Sequence, residues 1–216
     1  LKAYILRKLG RTEEAKATID YVQSIDPLDY WSTLEKSFIE KGDASVLQSR
    51  TKNQTEGLVA VQEFLEMVNN YLSVGGTEEA QVLIDQAVAL GNPFAASPLV
   101  YYYKAYVCLL EGNRGDAGAQ LEKANSLSHI NQYPLRIEEV KMFDTLTAAF
   151  ADNAFLHYHY GNLLYYIGQK EHGLAEWTRS TELDGTFAVA LRNVGFAYGQ
   201  KGEWQKAMGY YDRAIK

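Results

Sequence analysis

Cysteine is nearly absent from this sequence. Cys108 stands alone among 216 residues, which excludes an intramolecular disulfide framework and any cysteine-rich metal cluster. Prolines and histidines number only four each. No run approaches the roughly 20 apolar residues needed to span a bilayer. Positive charge is in deficit, with 21 Lys+Arg against 27 Asp+Glu and a net charge of -6. That balance argues against an electrostatic nucleic-acid footprint and against attachment to an anionic membrane surface. No basic segment, apolar segment and cleavage site follow one another, so no signal peptide is legible, and the cytoplasm is the favoured compartment. The chain opens on Leu1, and helical patterns run into both ends. It therefore reads as an excised piece of a longer protein.

What is present is ordinary apolar content, 47% of residues, which excludes wholesale disorder. The length allows one domain or two small ones, either able to bury a core. Tyrosine is abundant: 16 residues, more than a core of this size needs.

Self-similarity organises the second half. Placing Gly161 over Gly195 sets an offset of 34 residues, at which Leu164 falls on Tyr198, Gly168 on Gly202, Gly173 on Ala207, Trp177 on Tyr211 and Ser180 on Ala214. Each unit holds two helical patterns, at 155–167 and 170–183, then at 187–200 and 204–216. Paired antiparallel helices approach closely only where small residues sit at the contact. The glycine between the helices takes the left-handed conformation that ends a helix cheaply.

The pattern resembles the tetratricopeptide repeat family, whose 34-residue unit has aromatic-x2-Leu-Gly-x2-Tyr, then Ala-x3-Phe, then Pro. The last unit reads Leu191-x2-Val194-Gly195-x2-Tyr198, then Ala207-x3-Tyr211. The one before it reads His157-x2-Tyr160-Gly161-x2-Leu164, then Gly173-x3-Trp177, with Gly185 in the proline slot. Earlier units show Tyr101, Ala105, Ala117 and Leu121, then Phe64, Tyr71, Ala80 and Ile84, then Ala3, Leu6, Ala15, Ile19 and Pro27 in the same register. Thr12 and Thr77 are expected N-caps, with acids in the first turn after each. The resemblance implies an all-α, right-handed α-α superhelix, a tetratricopeptide-like solenoid of about eleven or twelve helices with irregular insertions. The mixed arrangement also looks like the C-terminal helical region of bacterial proteins in which a β-rich, carbohydrate-related domain precedes the repeats.

The second-helix small residues fall at 15, 80, 117, 173 and 207, so the spacing is irregular. The expected divisions are a truncated unit at 1–28 and an extra segment at 29–56, then two divergent units at 57–128. A loop with an extra helix at 129–152 and two well-matched units at 153–216 complete the chain. The extra segment is read as a helix at 30–41, a short helix at 44–49 and a polar linker at 50–56. The second insertion is read as a loop at 129–134 and a helix at 135–150.

No catalytic constellation is legible. His157 and His159 point about 200° apart on a helix and cannot share a metal. His157 occupies a packing slot. His129 and His172 read as solvated imidazoles, and Cys108 as a small buried hydrophobe. The run from Gly112 to Gly118 lacks a Lys-Ser/Thr ending and reads as a turn, not a phosphate loop. Asn53-Gln-Thr55 is a formal glycosylation sequon in a polar loop. The pairs Glu138/Glu139 and Glu13/Glu14 read as solvated faces. No enzyme, metal or cofactor is expected.

In a repeat superhelix the first helix of each pair lines the concave side. The groove stripe is then Tyr102, Tyr103 and Tyr106 in one unit, Tyr158, Asn162, Tyr165 and Tyr166 in another, and Arg192, Asn193 and Phe196 in the last. Tyrosine offers large contact area at little rotamer cost, and asparagine both donates to and accepts from a bound backbone. In relatives that grip a C-terminal carboxylate, asparagines pair with lysines. Here Tyr158 stands at the expected lysine, which counts against that role. The leading expectation is a non-enzymatic scaffold that binds a peptide, or another domain of the same chain, in a tyrosine-lined groove. The alternatives are an accessory region of a carbohydrate-active enzyme, or a homo-oligomerisation module using Trp204, Tyr210 and Tyr211. The same tyrosines have a bland role open to them: packing between repeats or beneath the extra helix.

Overall fold

A computed structural model describes residues 1–44 and 57–216, with the side chains of all but 57–59. Apart from Ala44, the short helix expected at 44–49 lies outside the described residues, as do the linker at 50–56 and the sequon at Asn53. The described residues form twelve α-helices and one 3-10 turn, Phe94–Ala96, with no strand among them. The all-α class expected from the sequence is what the chain adopts. It divides into two compact units, Leu1–Val100 and Tyr101–Lys216. The first holds α1 (Lys2–Lys8), α2 (Thr12–Ile25), α3 (Tyr30–Lys41), α4 (Gly57–Ser73) and α5 (Thr77–Ala89). Helix α6 (Pro98–Leu110) crosses the division. The second unit continues with α7 (Arg114–Asn125), α8 (Glu139–Ala149), α9 (Ala154–Tyr166), α10 (Lys170–Leu183), α11 (Ala188–Gln200) and α12 (Trp204–Ala214).

Five connections are the same turn. Gly10, Gly75, Gly112, Gly168 and Gly202 follow helices α1, α4, α6, α9 and α11 with φ of 72, 78, 79, 91 and 75°. A Cβ would make this left-handed conformation costly. The next residue's N–H then returns to a carbonyl five residues earlier: Arg11 to Leu6 at 2.9 Å, Gly76 to Tyr71 at 2.8 Å, Asn113 to Cys108 at 2.8 Å, Gln169 to Leu164 at 2.8 Å and Glu203 to Tyr198 at 3.0 Å. That bond satisfies an orphan carbonyl of the first helix. It also places the residue that donates it at the start of the second helix. Arg11 and Gly76 therefore occupy the N-cap positions, without a side-chain cap, and Thr12 and Thr77 are the first helical residues rather than caps.

The extra helices α3 and α8 sit between these hairpins. Asp29 caps α3 by accepting from the Ser32 N–H at 2.7 Å. Helix α8 begins at Glu139, not at the expected residue 135, because the chain before it is turned to present its amides to the Glu139 carboxylate.

Small residues mark the helix crossings. Ala15, Ala80, Ala117, Gly173 and Ala207 are all buried. The closest approach is between α9 and α10, where a Cβ built on Gly173 would lie 2.9 Å from the Gly161 carbonyl oxygen. In the first unit the core is centred on fully buried Tyr71, stacked on Trp31 with centroids 4.4 Å apart. Its hydroxyl donates to Glu35 at 2.7 Å. Arg7 donates to the same carboxylate through Nε at 2.8 Å and to Glu79 through Nη1 at 3.0 Å.

Candidate functional site

The structure corrects the predicted groove. Tyr102, Tyr103, Tyr106 and Tyr158 are all buried, between 0% and 6% exposed, so their rings pack inside the second unit and do not form an open wall. Helix α6 explains three of them. Its sequence PLVYYYKAYVCLL is apolar all round apart from Lys104, and a helix without a polar face is a buried helix. Helix α8 supplies the cover: Tyr102 meets Phe143 edge-on at 5.8 Å between centroids, and His159 of α9 at 5.3 Å.

The asparagines are also engaged. Asn162 Oδ1 accepts from Trp177 Nε1 at 2.9 Å and from Asn193 Nδ2 at 3.0 Å. Asn193 Oδ1 in turn accepts from Arg192 Nη2 at 3.0 Å. This ladder ties α9, α10 and α11 together. Of the predicted set, Tyr166, Arg192 and Phe196 are exposed, and Tyr165 is half-buried, stacked on Trp177 at 4.7 Å. Trp204 is exposed on α12, while Tyr210 and Tyr211 are half-buried; Tyr210 lies stacked on Tyr198.

Two polar residues depart from their sequence reading. Glu139 is buried, not solvated. It accepts from the Tyr103 hydroxyl at 3.0 Å and from the Leu135 and Arg136 amides at 2.8 and 2.9 Å. Burial raises its pKa, which these hydrogen bonds and Arg136 only partly offset. His129 is half-buried, its ring stacked on Phe155 at 4.2 Å. Its Nδ1 lies 2.8 Å from Nε2 of His159, which is fully buried. His157 and Cys108 are buried as expected, and His172 is exposed. His157 bridges Glu176 at 2.6 Å and the Ala151 carbonyl at 3.0 Å.

These contacts pin the segment 126–138, which joins α7 to α8, at two places: His129 near its start and Glu139 just beyond its end. Connections this long without regular structure are commonly functional. Between the pins, Ile130 and Tyr133 are exposed, and Asn131 holds a left-handed φ of 58°.

The pinned segment forms one wall of a cleft of about 490 Å³. Phe155 and Tyr158 of α9 form its floor, and Phe187, Val189 and Arg192 at the start of α11 form the facing wall. The aromatic rings brace one another, with Phe187 4.8 Å from Phe155 and 4.9 Å from Tyr158 between centroids. Tyr158 therefore belongs to the candidate site as a floor residue. Sequence periodicity missed His129, Tyr133, Phe155, Phe187 and Val189, because they converge from a loop and from two helix starts. The sequence reading, a loop at 129–134 only, carried no signal of this convergence, because the irregular connection runs over 126–138 in the structure.

The histidine pair makes the second unit acid-sensitive. Burial lowers the His129 pKa to about 4 and depresses that of His159 as well. The unfolded chain takes up protons near pH 6.5 while the folded pair does not, so the pair's contribution to stability falls as pH drops from about 6.5 towards about 4. His157 acts oppositely: burial disfavours its charge, but the hydrogen bond to Glu176 outweighs this and raises its pKa. Denaturant midpoints of the wild type should decline over that window more steeply than those of His129→Phe/His159→Phe. Parallel curves would show that the pair does not control acid stability.

Among the described residues, no group of three or more His, Cys, Asp or Glu side chains is placed to hold a metal. No described helix is long and apolar enough to cross a membrane.

No family model matches the chain, and no curated protein matches it. Solved structures similar to it include the crystal structure of MamA, at 14% identity and a TM-score of 0.38, covering 99% of this chain and 92% of that one. A MamA fragment, residues 41 to the end, from Desulfovibrio magneticus RS-1 matches at 15% identity and a TM-score of 0.35, covering 71% and 92%. YrrB, described as a TPR protein with an unusual peptide-binding site, matches at 20% identity and a TM-score of 0.34, covering 78% and 89%.

Proposed function

We propose that the protein is a non-enzymatic interaction scaffold whose second unit holds a segment of protein, from a partner or from its own chain. The observation that carries this reading is the preformed cleft between segment 126–138 and helices α9 and α11, with its floor and facing wall built of aromatic side chains. Rigid aromatic surface binds with little ordering cost, because its rings are already braced. Tyr165, Tyr166 and Phe196 would extend the docking surface beyond the cleft. They keep part of the groove anticipated from the sequence, carried by its exposed and half-buried members rather than its buried ones.

A random-peptide selection tests this without a named partner. A phage-displayed library is selected against the chain and against Ile130→Asp/Phe187→Ser. Ile130 is exposed and Phe187 half-buried, so the pair should keep wild-type helicity while removing apolar surface from both sides of the cleft. Peptides enriched on the wild type should lose at least tenfold in affinity for the variant. Enrichment that is absent, or equal on a folded variant, would sink the docking reading.

A further inference from the structure

The cleft's charge identifies its occupant. The chain carries an excess of acid, yet no Asp or Glu lines the cleft, and its cation is Arg192. Four arginines are held by carboxylates, Arg7 by Glu35 and Glu79, Arg11 by Glu14, Arg136 by Glu139 and Arg179 by Asp152 and Glu182, while Arg114 donates to the Ala149 carbonyl and Arg213 lies over the Tyr210 ring. Exposed Arg192 makes no ion pair among the described residues. Its Nε and Nη2 donate to Asn193, which orients the guanidinium and leaves other donors of its fork free. An arginine held this way beside an apolar wall suits a carboxylate bidentately. Asn125 also lines the cleft, and its Oδ1 is buried without a hydrogen-bond partner. A buried acceptor of this kind is stabilised when a donor reaches it, and an extended backbone carries N–H donors at regular intervals.

Resting on the docking reading above, we infer that the occupant is an extended peptide segment with an Asp or Glu close to a large apolar residue. The apolar side chain lies on the floor formed by Phe155 and Tyr158, the acid pairs with Arg192, and a backbone N–H of the segment donates to Asn125. The site thereby selects acidic-apolar sequences over basic or purely apolar ones.

The random-peptide selection decides this with one further variant, Arg192→Glu. Peptides enriched on the wild type should place Asp or Glu within a few positions of Phe, Tyr, Trp, Leu or Ile. A synthetic peptide of the enriched sequence should bind Arg192→Glu about tenfold more weakly in fluorescence anisotropy. One lost attraction and one added repulsion of similar size account for that factor. Exchanging the peptide's acid for lysine should restore binding to Arg192→Glu and weaken it on the wild type. If enriched peptides lack acids, or bind Arg192→Glu as tightly, the inference fails and the docking reading survives. If nothing is enriched at the cleft at all, the docking reading itself has failed.

Discussion

Arg7→Met should destabilise the first unit by about 3–5 kcal/mol, the cost of leaving buried charge without its partner. Glu35 and Glu79 are almost wholly buried, and one guanidinium serves both, with Nε and Nη2 on Glu35 at 2.8 and 3.2 Å and Nη1 and Nη2 on Glu79 at 3.0 and 3.1 Å. Lys8 reaches Glu79 at 3.2 Å, and the Tyr71 hydroxyl reaches Glu35 at 2.7 Å, but neither replaces the lost cation on Glu35. Methionine keeps an apolar stem but removes the guanidinium that lies over the Tyr4 and Phe38 rings, so the loss includes those cation–π contacts as well as the ion pairs. Arg7→Met/Glu35→Gln/Glu79→Gln should recover most of the loss, since a neutral buried amide costs far less than an ionised carboxylate.

The same network has a pH signature. Burial tends to raise the Glu79 pKa, but a hydrogen bond from its own backbone N–H, then the hydrogen bond from Lys8 and the charge and hydrogen bond of Arg7, hold it below the usual carboxylate range. Its contribution to stability is therefore present above about pH 4.5 and lost as pH falls below that. Arg7→Met should lack the part of this loss that Arg7 supplies, while the Glu79 backbone N–H and Lys8 keep the rest, so the two proteins should draw closer in stability at low pH. Urea denaturation followed by circular dichroism measures both effects. A difference under 1 kcal/mol at neutral pH would mean that the network is not what holds α1 to α3 and α5.

Gly161→Ala should cost about 1–3 kcal/mol, even though alanine is the better helix former by about 1 kcal/mol. A Cβ at Gly161 would run into Trp177 Cδ1 and stand 2.7 Å from its Nε1 and 2.9 Å from the Gly173 carbonyl oxygen. The tryptophan has nowhere to go: it is buried, stacked on Tyr165 and hydrogen-bonded to Asn162. The carbonyl moves only if α9 and α10 separate. The equivalent Gly195→Ala is the control. There the Cβ meets the Tyr211 ring at 3.1 Å and the Ala207 carbonyl oxygen at 3.2 Å, and half-buried Tyr211 can yield. Gly195→Ala should lie within about 1 kcal/mol of wild type. Equal losses in thermal unfolding would contradict the closer crossing of α9 and α10.

The repeat plan was legible because its causes are local. A glycine at each hairpin turn, small residues at crossings and a 34-residue register act between near neighbours in the chain, so their spacing survives in one dimension. Thr12 and Thr77 show the limit even there. Their composition favours a cap, but the amide returning to the preceding helix had already set where the second helix begins. The candidate site was partly legible: of the residues named from helix periodicity, Tyr158 and Arg192 line the cleft, Phe196 is exposed outside it, and Tyr102, Tyr103 and Tyr106 are buried. The absence of a polar face on α6 was the warning in the sequence.

The amino-acid order alone determined that this chain is helical, that its helices pair, and where each pair turns, because those outcomes depend on neighbours a few residues away. Tertiary structure decided which side chains are buried and which meet. Arg7 finds Glu79 across 72 residues, Tyr103 finds Glu139 across 36 and His129 finds His159 across 30. Periodicity says which residues share a face of a helix. What covers that face depends on helices elsewhere in the chain: here α8 meets Tyr102 through Phe143 and Tyr103 through Glu139, while segment 126–138 forms one wall of the cleft.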